Sequence, residues 1–133
     1  MAGQLAVLCG QILAVGLSGS ELSADERRWL ETGVRGGVVF FRRNIPAGQI
    51  GKVLDLARSV HSASSRAPVD APPLVAIDQE GGRVVRIGPP ALALPAMRRV
   101  GDLDDPAFTE RLAEAEAREL AALGITMSFA PVA

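Results

Sequence analysis

Asp78 and Glu80 are the residues that most invite chemistry. They follow the apolar run Leu74-Val75-Ala76-Ile77 directly, in the stretch Asp78-Gln79-Glu80-Gly81-Gly82-Arg83. On extended backbone, positions i and i+2 face the same side, roughly 6.6 Å apart. Carboxylate pairs at about 5–5.5 Å or about 6.5–9.5 Å are what glycoside hydrolysis uses. Two acids at a strand end serve equally as salt-bridge partners or helix caps, so the spacing leaves both readings open. Gly81-Gly82 lets the backbone turn sharply or approach a ligand closely. Arg83 and Arg86 are placed to meet that ligand or to neutralise the acids.

Two other apolar runs end in polar groups: Arg42-Arg43-Asn44 and Ser128. Of the adjacent arginines, one is expected to face the site and the other to pair with a helix acid. The glycines do not form a phosphate loop. Neither G-x-G-x-x-G nor G-x-x-x-x-G-K-[ST] occurs, and Gly36-Gly37 precedes its strand instead of following it. A flavodoxin-like nucleotide module therefore lacks its signature. His61 falls late in a helix, off the apolar side, and is expected to be solvated, with no second metal ligand nearby. Trp29 and Phe108 are expected in the core. The acids of the last third (Asp102, Asp104, Asp105, Glu110, Glu114, Glu116, Glu119) are expected at a helix N-terminus or on a solvated face.

The elements that must position these residues alternate. Residues 5–17 are mostly apolar and read as a buried strand, the run 11–17 ending at Ser18-Gly19. Ser23 with Glu26 three residues on predicts a capping box and a short helix ending near Gly33. Gly36-Gly37-Val38-Val39-Phe40-Phe41 reads as a strand apolar on both faces, the type found in helix-covered parallel sheets. Pro46 opens a helix along which Ile50, Val53, Leu54, Ala57 and Val60 recur at helical spacing, with Gly48 and Gly51 weakening it by roughly 1 kcal/mol each. Residues 62–73 form a loop, 74–77 a strand, and 88–95, with three prolines, a second loop. Asp105-Pro106 opens a helix with Phe108, Leu112, Ala115, Leu120 and Leu123 on its buried side and Gly124 at its end. Residues 126–132 are the last strand. The order β, α, β, α, β, loop, α, β implies a parallel sheet with right-handed crossovers, whose functional groups gather at the C-terminal strand ends.

Composition narrows the class. The 133 residues carry 14 Lys plus Arg against 15 Asp plus Glu, a net charge of −1 with no basic cluster, which argues against nucleic acid as partner. At 48% hydrophobic and 22% charged the chain is globular. One cysteine, Cys9, excludes an internal disulfide and a Cys-based zinc site; a buried thiol is expected. The first apolar stretch is too short for a membrane span of roughly 20 residues and has no basic residue before it, so no membrane partner and a cytoplasmic location are expected. The length is about half of the roughly 250 residues of a (β/α)₈ barrel. The chain stops one residue past an apolar strand, which suggests a piece of a larger fold or a partner-completed one.

Gly36-Gly37-Val38-Val39-Phe40-Phe41-Arg42-Arg43-Asn44, followed by Pro73-Leu74-Val75-Ala76-Ile77-Asp78-Gln79-Glu80-Gly81-Gly82-Arg83-Val84, resembles the N-terminal catalytic domain of family 3 glycoside hydrolases. The similarity is to the branch of bacterial β-N-acetylglucosaminidases (β-hexosaminidases) of cell-wall recycling. Leu94-Pro95-Ala96-Met97 and Ser128-Phe129-Ala130-Pro131-Val132 extend it over most of the chain. The resemblance implies the α/β class, with residues 1–133 forming the N-terminal part of a (β/α)₈ TIM-type barrel, incomplete. It implies that Asp78 and Arg86 bind the non-reducing-end sugar, so that Asp78 is a substrate ligand and not the nucleophile. Glu80, Arg83 and Arg43 are then expected to orient the loop. The implied reaction is retaining hydrolysis of terminal N-acetylglucosamine, without a cofactor. Its nucleophilic aspartate, its histidine acid/base and the K-H-F-P-G-H-G motif have no counterpart here, so the chain alone is expected to be inactive and to need the missing C-terminal part of the barrel. Two alternatives stand beside this: a stand-alone sugar-binding or partner-completing α/β module, and a β-glucosidase or β-xylosidase of the same family.

Overall fold

A computed structural model of the chain describes residues 3–131. Its sheet has four parallel strands, β1 (Ala14–Gly16), β2 (Gly37–Phe40), β3 (Leu74–Ile77) and β4 (Met127–Ser128), side by side in the order β1-β2-β3-β4. Val15, Val38 and Val75 share a register row, as do Ile77 and Ser128. A strand order that never reverses, with right-handed crossovers, keeps the connecting helices on one face. That is the arc of a (β/α) barrel and not a doubly wound sheet, whose order switches direction. The α/β parallel class expected from the sequence is what the chain adopts.

The helices are α1 (Gln4–Gln11), α2 (Ala24–Glu31), α3 (Ile50–Ser64), α4 (Met97–Asp102) and α5 (Pro106–Ala122), with a 3₁₀ turn at Arg42–Asn44. α2 packs against α3. The core lies between sheet and helices: Val38, Phe40, Val75 and Ile77 meet Val53, Leu56, Ala57 and Val60 of α3. Side chains alternate along a strand, so Val39 and Ala76 turn to the other face, where Val39 is half-exposed.

Local chemistry explains most boundaries. Ser23 caps α2 by accepting from the Glu26 amide, and Glu26 returns a carboxylate to the Ser23 amide at 2.8 Å, the capping box expected. Asp105 caps α5 by accepting from the Phe108 amide at 2.9 Å, with Pro106 in the first turn, and Gly124 follows its end at φ +78°.

Several expectations are corrected. Residues 4–11 form a helix, not a strand, and β1 keeps only three residues. A short apolar run fits a strand or a buried helix equally well, and here tertiary fit decides. Gly10 lies against the Val34 backbone and accepts from the Gly36 amide at 2.9 Å, an approach a side chain would block. Cys9 falls on the outer side of α1 and is exposed. α3 begins at Ile50, because 46–48 form a turn with Gly48 at φ +69°. The segment after the second loop contains the unforeseen α4, with an Arg98–Asp102 ion pair one turn apart. Ala115 of α5 is exposed, with Leu120 and Leu123 carrying the contact. The last strand is two residues long, and Val132, included in the expected strand, lies outside the described residues. Trp29 is 37% exposed, with the Arg35 guanidinium over its ring.

Candidate functional site

β3 delivers Asp78 to the C-terminal end of the sheet. Its Oδ2 accepts from Nη2 of Arg86 at 2.9 Å, and both side chains are about one-quarter exposed. The seven-residue excursion between them is held by its own backbone: Glu80 donates to the Val84 carbonyl at 2.8 Å and Val84 to the Gly81 carbonyl at 3.2 Å. Gly81 (φ +79°) and Gly82 (φ +58°) adopt left-handed backbone that favours glycine. A Cβ on Gly81 would drive into the Pro95 carbonyl, and one on Gly82 would sit 2.9 Å from the Ala96 side chain. The close approach these glycines permit is thus to the chain's own 94–96 segment, which Gly82 also meets by donating to the Leu94 carbonyl at 3.3 Å.

Beneath the pair sits Gln79, 2% exposed. Its Oε1 accepts from the amides of Arg86 (2.9 Å) and Ile87 (3.1 Å), and its Nε2 donates to the Ile87 carbonyl at 3.0 Å. Arg42, from the end of β2, donates to the Val85 carbonyl at 3.1 Å. Arg43 donates to the Leu17 carbonyl at 2.7 Å and lies over the Phe41 ring. Among the described residues neither arginine pairs with an acid, which corrects that expectation. Arg43 braces the segment after β1, not the 78–86 loop. Asn44, fully buried, donates to the carbonyls of Leu17 and Gly19 and accepts from the Phe41 amide, so the exits of β1 and β2 are tied together. Ser128 of β4 lies in register with Ile77 and accepts from the Ala130 amide.

Glu80 and Arg83, near the pair in sequence, make no ion pair among the described residues. A cavity of about 430 Å³ opens beside Arg86, between the 85–89 segment and the start of α3. A cavity of about 580 Å³ lies at the other end of the sheet, beside α1 and Pro68, away from the polar strand ends.

Two acids away from the pair have shifted affinities for protons. Burial works against the charged form of Glu26, but hydrogen bonds from Ser23 and Ser18 prevail and hold its carboxyl below its usual range. Burial, with the Glu119 charge one turn on, pushes Glu116 up. Glu119 itself accepts from the Leu92 amide at 2.8 Å and fastens the proline-rich loop to α5. Glu116 and Glu119 are structural members of the α5 contact, not the solvated face expected. His61 is also corrected: its Nε2 lies 2.8 Å from the Gly124 carbonyl, joining α3 to the end of α5.

The arrangement can grip a polar ligand. A carboxylate accepts hydroxyl protons, and a guanidinium fixed beside it donates. Among the described residues no cluster of three His, Cys, Asp or Glu side chains could hold a metal ion. Sequence reasoning picked out Asp78 and Arg86, which the fold brings together, and missed Gln79, Asn44 and Glu119. The available signal for Gln79 was position: an amide directly past a buried strand, flanked by acids, must satisfy its polar atoms internally.

Residues 3–133 match the glycosyl hydrolase family 3 N-terminal domain. The chain is 40% identical over 127 residues to a beta-hexosaminidase of Stenotrophomonas maltophilia (strain K279a) and 39% identical to one of Xanthomonas campestris pv. campestris (strain B100), covering 91% of this chain in each case. It spans 36% of the length of those relatives. Among solved structures, a family 3 β-N-acetylglucosaminidase from Paenibacillus sp. str. FPU-7 superposes with a TM-score of 0.84 at 31% identity, over 98% of this chain and 24% of that one. The β-N-acetylhexosaminidase of Beutenbergia cavernae DSM 12333 gives 0.81 at 27% identity, over 98% and 38%. NagZ from Neisseria gonorrhoeae, solved with N-trifluoroacetyl-D-glucosamine, gives 0.73 at 28%, over 90% and 35%.

Proposed function

Because the chain belongs to the glycosyl hydrolase family 3 N-terminal domain family, we propose that it is the N-terminal portion of a retaining β-N-acetylhexosaminidase. The substrate class is a glycan ending in N-acetylglucosamine, such as a peptidoglycan fragment recycled in the cytoplasm. Residues 1–133 form part of one catalytic domain. The observation that carries the reading is the Asp78–Arg86 pair at the C-terminal end of β3. Asp78 accepts bonds from sugar hydroxyls, and Arg86 holds the carboxylate in place while donating to the same sugar. Neither residue attacks the anomeric carbon. The nucleophile and the acid/base come from chain beyond these 133 residues, which also completes the barrel.

The names of the relatives support an amino-sugar over glucose or xylose, and so does the amino-sugar analogue bound by the Neisseria enzyme. Calorimetric titration of the chain with N-acetylglucosamine, glucose and xylose tests this. The expected result is preference for N-acetylglucosamine, lost in Asp78→Ala. Preference for glucose or xylose would move the chain to the β-glucosidase or β-xylosidase branch. Release of chromophore from an aryl β-N-acetylglucosaminide by the 133-residue chain, abolished by Asp78→Ala, would overturn the division of roles.

A further inference from the structure

We propose that Gln79 is the positioning residue that sets where the Arg86 guanidinium stands, and through it the affinity for the sugar; the second half of the claim rests on the reading of Asp78 and Arg86 as sugar ligands. Gln79 follows Asp78 immediately, so the residue that receives the guanidinium and the residue that fixes its backbone are rigidly joined. One side-chain amide satisfies three backbone groups at 86–87, at 2.9, 3.1 and 3.0 Å. The amide is 2% exposed and Ile87 is likewise 2% exposed. Water therefore cannot substitute for these bonds, and an unmade one is expensive. Arg42 holds the preceding carbonyl, that of Val85, from the outside, but its bond is solvent-exposed. Among the described residues, the backbone of 85–87 thus has one buried side-chain fastening, Gln79, and one exposed one, Arg42. Arg86 Nε is buried, with no hydrogen-bond partner among the described residues, so the guanidinium is located by its backbone and by Asp78 alone. Release of the Gln79 bonds frees residues 86–87 and carries the guanidinium away from the carboxylate.

The test uses Gln79→Met, which keeps the side-chain volume close while removing the polar atoms, and Gln79→Glu, which keeps an acceptor for the two amides. Two readouts are taken on the 133-residue chain. The first is the Arg86 Nε–H resonance, assigned by its loss in Arg86→Lys. It is expected to be set apart in the unmodified chain, to collapse onto the solvated arginine signals in Gln79→Met, and to be retained in Gln79→Glu. An unchanged resonance in Gln79→Met overturns the proposal. So does its collapse in a folded Gln79→Glu chain, which remains a test if the Met variant does not fold. The second is N-acetylglucosamine affinity. Gln79→Met and Arg86→Ala are each expected to weaken it about tenfold or more, the scale of a hydrogen bond to a charged group. The double variant is expected to be no weaker than either, because the two act as one unit. Losses that multiply would show that Gln79 acts independently of Arg86 and overturn the proposal. Absence of sugar binding by the unmodified chain would count against the proposed function and against sugar affinity as the consequence, while the resonance still decides the positioning.

Discussion

Asp78 and Arg86 meet because the seven residues between them fold back on glycine-dependent backbone and not because the two charges attract each other across solvent. A partly exposed ion pair contributes about 0–1 kcal/mol, too little to organise a loop. Gly81 carries more. Gly81→Ala is expected to lower stability by about 1–3 kcal/mol from backbone strain alone, with the clash against Pro95 added, read as a lower urea midpoint. Gly51 is the control: exposed, inside α3, with nothing near its missing Cβ. Gly51→Ala is expected to raise stability by about 0.5–1 kcal/mol. If both variants shift the midpoint the same way, the glycine argument fails. Glu26 belongs to this scale too. Its folded carboxyl titrates below the unfolded value of about 4.3. The stability it contributes is fully present above that pH and is lost as pH falls through the lower folded value. Glu26→Gln is expected to flatten the acid side of a stability-against-pH curve while leaving its shape above pH 5 unchanged.

Among the elements, α5 is held by few contacts. Leu120 and Leu123 pack into the core, Glu119 fastens the proline-rich loop, and Glu116 has a buried oxygen without a partner among the described residues. Because burial and Glu119 raise Glu116 above its unfolded value, its effect has the opposite sign to that of Glu26. Stability is greatest below the unfolded value and declines as pH rises through the folded one. Glu116→Gln is expected to raise the melting temperature at pH 7 and to leave it nearly unchanged at pH 4, measured by thermal denaturation; no gain at pH 7 would contradict this. The capping box of α2, the Asp105-Pro106 start of α5 and the strand before Asp78 were all legible in the sequence, because each depends on neighbours within a few residues. α1 was not, because residues 5–17 are apolar without a clear period, and the contact that selects helix comes from Val34, far along the chain. His61 and Trp29 were misplaced for a similar reason: which side of a helix is covered depends on the neighbouring helix. At the site, Asp78 was readable as the first polar residue past an apolar strand. For Gln79 the sequence could show that its amide needs internal partners but not which ones, since they come from a loop whose path back to β3 has no signature in the residues themselves.

At the scale of the molecule, four parallel strands in unbroken order make an arc with two open edges, β1 and β4. β2 and β3 are paired on both sides and contribute Phe40 and Ile77 to the core. Amide hydrogen exchange is therefore expected to be slowest at Val38, Phe40, Val75 and Ile77, and faster at Val15 and Met127. Uniform protection across the four strands would show that the edges are covered, as by a second copy. The arc also explains why the polar strand ends gather on one rim while α1 and the larger apolar cavity sit at the other. The claim that this rim grips a sugar meets its most direct test in a two-dimensional NMR titration of the chain with N-acetylglucosamine. The account predicts shifts centred on residues 78–87, lost in Asp78→Ala and in Arg86→Ala while the rest of the spectrum stays folded. Shifts centred beside α1 and Pro68, or undiminished in both variants, would contradict it.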